Sequence, residues 1–205
     1  MASIDHLVYA VLDLDAAIDD LERRLGVRAA FGGRHVGRGS HNALADLGHG
    51  RYLEIIATDL GQPAPEGPRP FGLDTLVGPC LVGWAVRTDD IDTSVAAARA
   101  KGYDPGEPTA MSRARPDGSL LEWRLTHNAF AGGIIPFLID WGTTAHPSST
   151  APTGLRLGAF AVESPGVTSV TASLSALGSD VEVRLAEQPG LVASIIGPGG
   201  RVDLR

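Results

Sequence analysis

Residues 4–26 read IDHLVYAVLDLDAAIDDLERRLG. An apolar strand here runs straight into a capped amphipathic helix. In a strand, alternate side chains share a face, so His6, Val8 and Ala10 lie on one side and Leu7, Tyr9 and Val11 on the other. Asp13 is placed to accept from the free N–H groups of a first helical turn. Leu14, Ile18, Leu21 and Leu25 recur at helical spacing, and Gly26 can take the left-handed conformation that ends the helix. The bulkier strand face packs under that helix, so His6 is expected to point to the opposite, concave side.

Working outward, the same pattern returns twice, as LVGWAVRTDDIDTSVAAARAKG (81–102) and LRLGAFAVESPGVTSVTASLSALG (155–178). Asp90 caps the second helix and Gly102 stops it; Ser164 caps the third, with Pro165 in the first turn and Gly178 as stop. Each unit closes on a strand carrying an acid: YLEII (52–56), FLIDW (137–141) and RVDLR (201–205). Aligned on the helix starts, His6 falls on Gly83 and on Leu157. Aligned on the closing strands, Glu54 falls on Asp140 and on Asp203. The chain therefore divides into β-α-β-β-β modules at about 4–57, 80–141 and 154–205, separated by GQPAPEGPRPFG (61–72) and GTTAHPSSTAPTG (142–154), which are too rich in proline and glycine for regular structure. Such modules cannot bury their apolar face alone and must pair. By alternation, Leu138 and Asp140 match the Glu54 face, so His6, Glu54 and Asp140 are expected to look into one cavity.

Composition narrows the function classes. No apolar run approaches the roughly 18 residues of a membrane span. The first residues carry no basic stretch before the apolar run, which argues against a signal peptide. Cys80 is the single cysteine, so no internal disulfide forms, in keeping with a cytoplasmic protein. The net charge is −7 and the basic residues are scattered apart from Arg34 and Arg38, which disfavours nucleic acid. Abundant Ala, Gly and Arg suggest a GC-rich bacterial genome.

The strings IDHLVYAVLDLDAA, GGRHVGRGSHNALADLG, YLEIIA, PDGSLLEWRLT and GGIIPFLIDWG, together covering residues 4 to about 143, resemble the vicinal oxygen chelate superfamily, and within it the glyoxalase-like domain proteins. The resemblance implies an α+β fold in which the two modules of residues 1–143 pair into an open, cup-shaped barrel of the glyoxalase/dihydroxybiphenyl-dioxygenase type. Residues 154–205 add a third β-α-β-β-β-like module without these strings. In metal-dependent members a divalent ion in the cup, held from the first and last strands of both modules, chelates vicinal oxygens of a substrate; other members bind antibiotics without metal. Carried over by position, His6 and Glu54 match two ligand positions and Asp140 stands at or beside the fourth. Gly83, which has no side chain to donate, occupies the third. One imidazole and two carboxylates suit Zn, Mn or Mg, with waters completing the shell.

The leading expectation is thus a small-molecule enzyme with metal-assisted lyase or isomerase chemistry at a carbonyl, His6, Glu54 and Asp140 holding the ion. The alternative is a metal-free binding or sequestering protein in which His6 and Glu54 hydrogen-bond each other. The glycine-rich segment 32–42 reads as a mouth loop: His35 or His41 serves as general base, and Arg34 and Asn42 hold an anionic or carbonyl substrate. Tyr52, Trp123 and Arg124 are further substrate-binding candidates, although Trp123 could equally be core. The third module lacks a partner half, so it is expected to form a homodimer through its exposed face, the alternative being that it packs back on the first two modules and covers their cup.

Overall fold

The structure is a computed structural model that describes residues 3–114, 118, 120–127 and 133–205; Pro116, Asp117, Ser119 and Gly132 of the quoted strings lie outside these. The first module is β1 (Ser3–Ala10), α1 (Leu14–Leu25), β2 (Ala30–His35), β3 (Ser40–Gly48) and β4 (Arg51–Thr58). The second is β5 (Cys80–Arg87), α2 (Ile91–Ala100), β6 (Pro108–Ala114), β7 (Leu120–Thr126) and β8 (Phe137–Asp140). The third is β9 (Arg156–Ser164), α3 (Val167–Ala176), β10 (Glu182–Leu185), β11 (Gly190–Gly197) and β12 (Gly200–Leu204). Asp13 accepts from Ala16 N at 3.0 Å and Asp90 from Thr93 N at 3.0 Å, as the capping pattern predicts. At the third helix the cap position is Gly166, whose N–H donates to Ser164 Oγ at 3.0 Å, two residues later than the sequence suggests.

Modules one and two curl into one ring of strands, β1-β4-β3-β2-β6-β7-β8-β5, with β5 returning to β1. The antiparallel β1–β5 seam pairs His6 with Ala85 and Val8 with Gly83. Those pairs interchange under a two-fold rotation, so His6 and Gly83 are equivalent positions of the two modules. On the far side, β2 meets β6 through the pair Arg34–Ala114.

Two apolar clusters follow from strand alternation. Leu7, Leu53, Ile55, Trp84, Val86 and Leu138 point outward beneath α1 and α2. Val8, Ala10, Leu44, Tyr52, Ile56, Ala85, Phe137 and Ile139 point into the ring. Each large side chain fully buried this way contributes about 1.5–3 kcal/mol.

The third module forms its own sheet, β10-β9-β11-β12, and lies on the outer layer rather than over the ring's interior. Val162, Leu174, Leu191, Ile195 and Val202 join the outer cluster, and Phe160 packs edge-on to Trp84 at 5.0 Å. Leu81 N–H donates to the Arg205 carbonyl at 2.7 Å, and Gly199 N–H to the Leu25 carbonyl at 2.8 Å, satisfying an end carbonyl of α1. A Cβ at Gly197 or Gly199 would strike the Leu25 backbone, so glycine is what lets this hairpin approach the helix end. The apolar face that motivated a homodimer is thus covered within the chain.

Candidate functional site

The ring encloses a cavity of about 340 Å³. Much of its wall is apolar: Phe71, Trp123, Phe137, Ile139 and Trp141 line it, with Leu44 and Ile56. The first module supplies the polar part, His6 from β1, Asn42 from β3 and Glu54 from β4, all inward by alternation, with His35 at the end of β2. Part of the connection between modules, Pro68 to Gly72, forms another section of wall.

A polar chain crosses the base of this cavity. Asn42 Nδ2 donates to Glu54 Oε1 at 2.6 Å, and Arg113 Nη1 donates to Asn42 Oδ1. His6 Nε2 stands 3.7 Å from Glu54 Oε2, too long for a hydrogen bond and close enough for a proton to pass through one bridging atom. His6 stacks on Tyr52 at 4.6 Å and meets the edge of Phe137 at 5.4 Å. On the other side its Nδ1 lies 2.7 Å from Asp5 Oδ1. The Asp5 carboxylate is fully buried and gathers three further donors: His146 Nε2 at 2.9 Å, Arg87 Nε at 2.9 Å and Trp141 Nε1 at 3.1 Å. Burial by itself would raise the pKa of Asp5; the hydrogen bonds from His146 and His6 outweigh it and hold the carboxyl well below the ordinary range. An ionised Asp5 fixes Nδ1 of His6 as a donor, so Nε2 is the nitrogen that faces Glu54. Burial pushes the Tyr52 phenol well up, so it stays a neutral donor. Burial also pushes His35 down to about 4, against the opposing pull of Glu54 3.8 Å away, so His35 is a neutral imidazole near pH 7.

Of the expected site residues, the cavity brings together His6, His35, Asn42, Tyr52, Glu54 and Trp123. Four others are elsewhere. His41 alternates outward on β3 and packs against Phe31 at 6.2 Å. Arg34 reaches Asp59 at 3.4 Å, and Arg38, one turn further along the loop, lines the cavity instead. Arg124 makes a two-pronged contact with Asp92 on α2, at 2.6 and 2.9 Å, on the outer surface. Asp140 accepts from Ile91 N at 3.3 Å and Gly142 N at 2.8 Å, at the start of α2 where backbone N–H groups and the helix dipole attract a carboxylate.

The strand registers explain the misplacement of Asp140. Glu54 pairs with Val8, and the two-fold equivalent of Val8 is Ala85, whose partner on β8 is Phe137. The counterpart of Glu54 is therefore Phe137, and Asp140, with the opposite parity, faces out. Trp141 joins the inner cluster. The four positions from which a cup-bound ion would be held are thus His6, Glu54, Gly83 and Phe137, of which two can donate. Among the described residues no three metal-donor side chains converge. The donor set does not fit a firmly held divalent ion.

Asp5, Arg87, Arg113, Trp141 and His146 escaped the sequence reading. Strict alternation sends Asp5 outward with Leu7, but the β1–β5 register slips between Ile4 and His6 and turns the carboxylate inward. His146 lies in a proline-rich connection, where nothing local announces a contact across 141 residues of chain.

The profile of a family described as "Glyoxalase-like domain" matches residues 4–178. No curated protein is significantly similar in sequence. Among solved structures, a hypothetical protein from Staphylococcus aureus is 13% identical and aligns over 100% of this chain and 99% of its own, with a TM-score of 0.68. A triply substituted 4-hydroxymandelate synthase from Streptomyces coelicolor is 17% identical over 99% of this chain and 62% of its own, TM-score 0.52. Methylmalonyl-CoA epimerase from Mycobacterium tuberculosis is 24% identical over 67% and 86%, TM-score 0.46. At these identities the likeness concerns the fold alone.

Proposed function

The chain belongs to the glyoxalase-like domain family, and from that premise we propose that it is a small-molecule enzyme whose cup catalyses proton transfer next to a carbonyl, an isomerase or lyase step. The observation that carries this reading is the buried line Asp5–His6–Glu54, ending in a cavity large enough for a small molecule. Glu54, held by Asn42, takes the proton from the carbon next to the carbonyl, and the C–H electron pair moves to the carbonyl oxygen as an enolate. His6 Nε2, backed by Asp5, takes that proton on from Glu54 and returns it to the same carbon or to a neighbouring atom. Arg113, which lines the same cavity, offers positive charge to the developing oxyanion. A Zn, Mn or Mg ion would find His6 and Glu54 as its protein ligands and be held weakly; none of these steps passes through it.

The test is hydrogen–deuterium exchange, followed by proton NMR, of a panel of apolar 2-oxo and 3-oxo acids in D2O. The wild type is expected to exchange at least one member faster than solvent. A positioned general base contributes roughly 10²–10⁴-fold, so Glu54→Gln should lose at least about 10² of that rate. An unaffected Glu54→Gln variant would defeat the proposal. The apolar wall favours a second reading, a binding or sequestering protein, and tight binding with no exchange in the wild type would select it.

A further inference from the structure

We infer that the second-module half of the cup is a subsite for the flat, aromatic part of an anionic ligand, with Phe71 as the residue that sets the preference. This rests on the reading of the cup as a small-molecule site and goes beyond it by naming the ligand class. At the position equivalent to His6 stands Gly83, and the space it leaves is taken by a side chain from outside the strand repeat. A Cβ on Gly83 would lie 3.2 Å from Phe71 Cε1 and 3.4 Å from Cδ1.

Phe71 is delivered by the connection between modules with a left-handed backbone, φ 56° and ψ 24°, a conformation that bulky residues avoid unless their surroundings hold them there. The surroundings do so: Arg69 Nε donates to the Gly39 carbonyl at 3.1 Å, Asp74 accepts from Arg69 N at 2.7 Å, and Leu73 is buried in the inner cluster. The Phe71 ring lies 6.1 Å from Phe137, which fills the position equivalent to Glu54, and the Trp123 and Trp141 rings lie 5.4 Å apart on the same cavity wall. Where the first module presents an imidazole and a carboxylate, the second presents ring faces and edges, geometry suited to another ring. Among the described residues, Arg38, Arg69 and Arg113 line the cavity together with one carboxylate, Glu54; Arg69 also pairs with Asp74, and Arg113 donates to Asn42. That balance favours a ligand bearing negative charge.

The test measures calorimetric binding of 2-naphthoate, decanoate and 2-naphthylmethylammonium to the full chain and to Phe71→Ala, Phe71→Leu and Gly83→Val. Naphthoate is expected to bind, to weaken about tenfold in Phe71→Ala and nearly as much in Phe71→Leu, which keeps apolar bulk without a ring. Gly83→Val, driven against Phe71, should weaken it more than tenfold, while circular dichroism shows each variant folded. Decanoate should change less than threefold across the set, and the ammonium should bind at least tenfold more weakly than naphthoate. An unchanged naphthoate affinity in both Phe71 variants, an equal loss for decanoate, or tighter binding of the cation would overturn the inference. Naphthoate carries no acidic C–H, so its binding is read independently of proton transfer. Exchange failing while naphthoate binds as described removes the enzyme reading and leaves the subsite.

Discussion

Asp5→Asn removes one charge from a buried group of the cup that gathers four donors. The wild-type carboxylate is fully buried and receives His6 at 2.7 Å, His146 at 2.9 Å, Arg87 at 2.9 Å and Trp141 at 3.1 Å. An asparagine offers one acceptor oxygen, and its NH₂ group opposes the remaining donors, leaving Arg87 without its carboxylate. Breaking a buried, hydrogen-bonded charge pair on one side costs about 3–5 kcal/mol, a large share of a typical total of about 5–15 kcal/mol. Urea unfolding at pH 7 should show that loss with an unchanged slope. The pH dependence has a fixed sign. The folded-state pKa of Asp5 is lowered from an ordinary 3.8, so its contribution is whole above that value and is lost as pH falls below it. The gap between wild type and variant should therefore be constant from pH 7 to about 5 and narrow below about 4. Should Asp5→Asn fail to fold, His146→Ala removes one of the donors and should cost about 1–3 kcal/mol. A loss under about 1 kcal/mol for Asp5→Asn, or a gap that widens on acidification, would refute the role given to Asp5.

Three further outcomes are expected. The His35 imidazole, pushed down to about 4 from 6.5, should show flat NMR ring-proton shifts from pH 8 to about 5, and its stabilising contribution, whole above 6.5, should be lost as pH falls toward 4. Trp84→Ala, which empties a fully buried site between β5 and the third module and orphans the Ile134 carbonyl, should cost about 3–5 kcal/mol in denaturant unfolding. Asp140→Ala should behave as the loss of a helix cap, costing about 0.5–2 kcal/mol while leaving naphthoate affinity within twofold in calorimetry.

The repeat, the helix stripes and the inward face of β1 and β4 were legible because each is a local periodicity enforced by burial. His6 and Glu54 followed from it, since β4 alternates on both sides of Glu54 and β1 alternates from His6 onward. Asp140 did not, because its parity depends on how β8 registers against β5, which a four-residue strand does not declare. Arg34 and His41 were placed in the mouth by composition, yet their faces are set by the β2–β3 register and its slip at Phe31 to Gly33. Asp5 was hidden by a bulge. Phe71 and His146 were hidden for another reason: both sit in connections that carry no periodicity, and only the closed ring shows what they touch.

The most direct measurement is the NMR exchange experiment run on protein stripped with a chelator and dialysed free of divalent ions, then repeated after adding Zn, Mn or Mg. If the polar line from Asp5 through His6 to Glu54 moves the proton, exchange persists in the stripped protein and added ion does not raise its rate. Exchange that appears only with added metal, alongside stoichiometric uptake by elemental analysis, would contradict that conclusion and return the cup to metal-assisted chemistry.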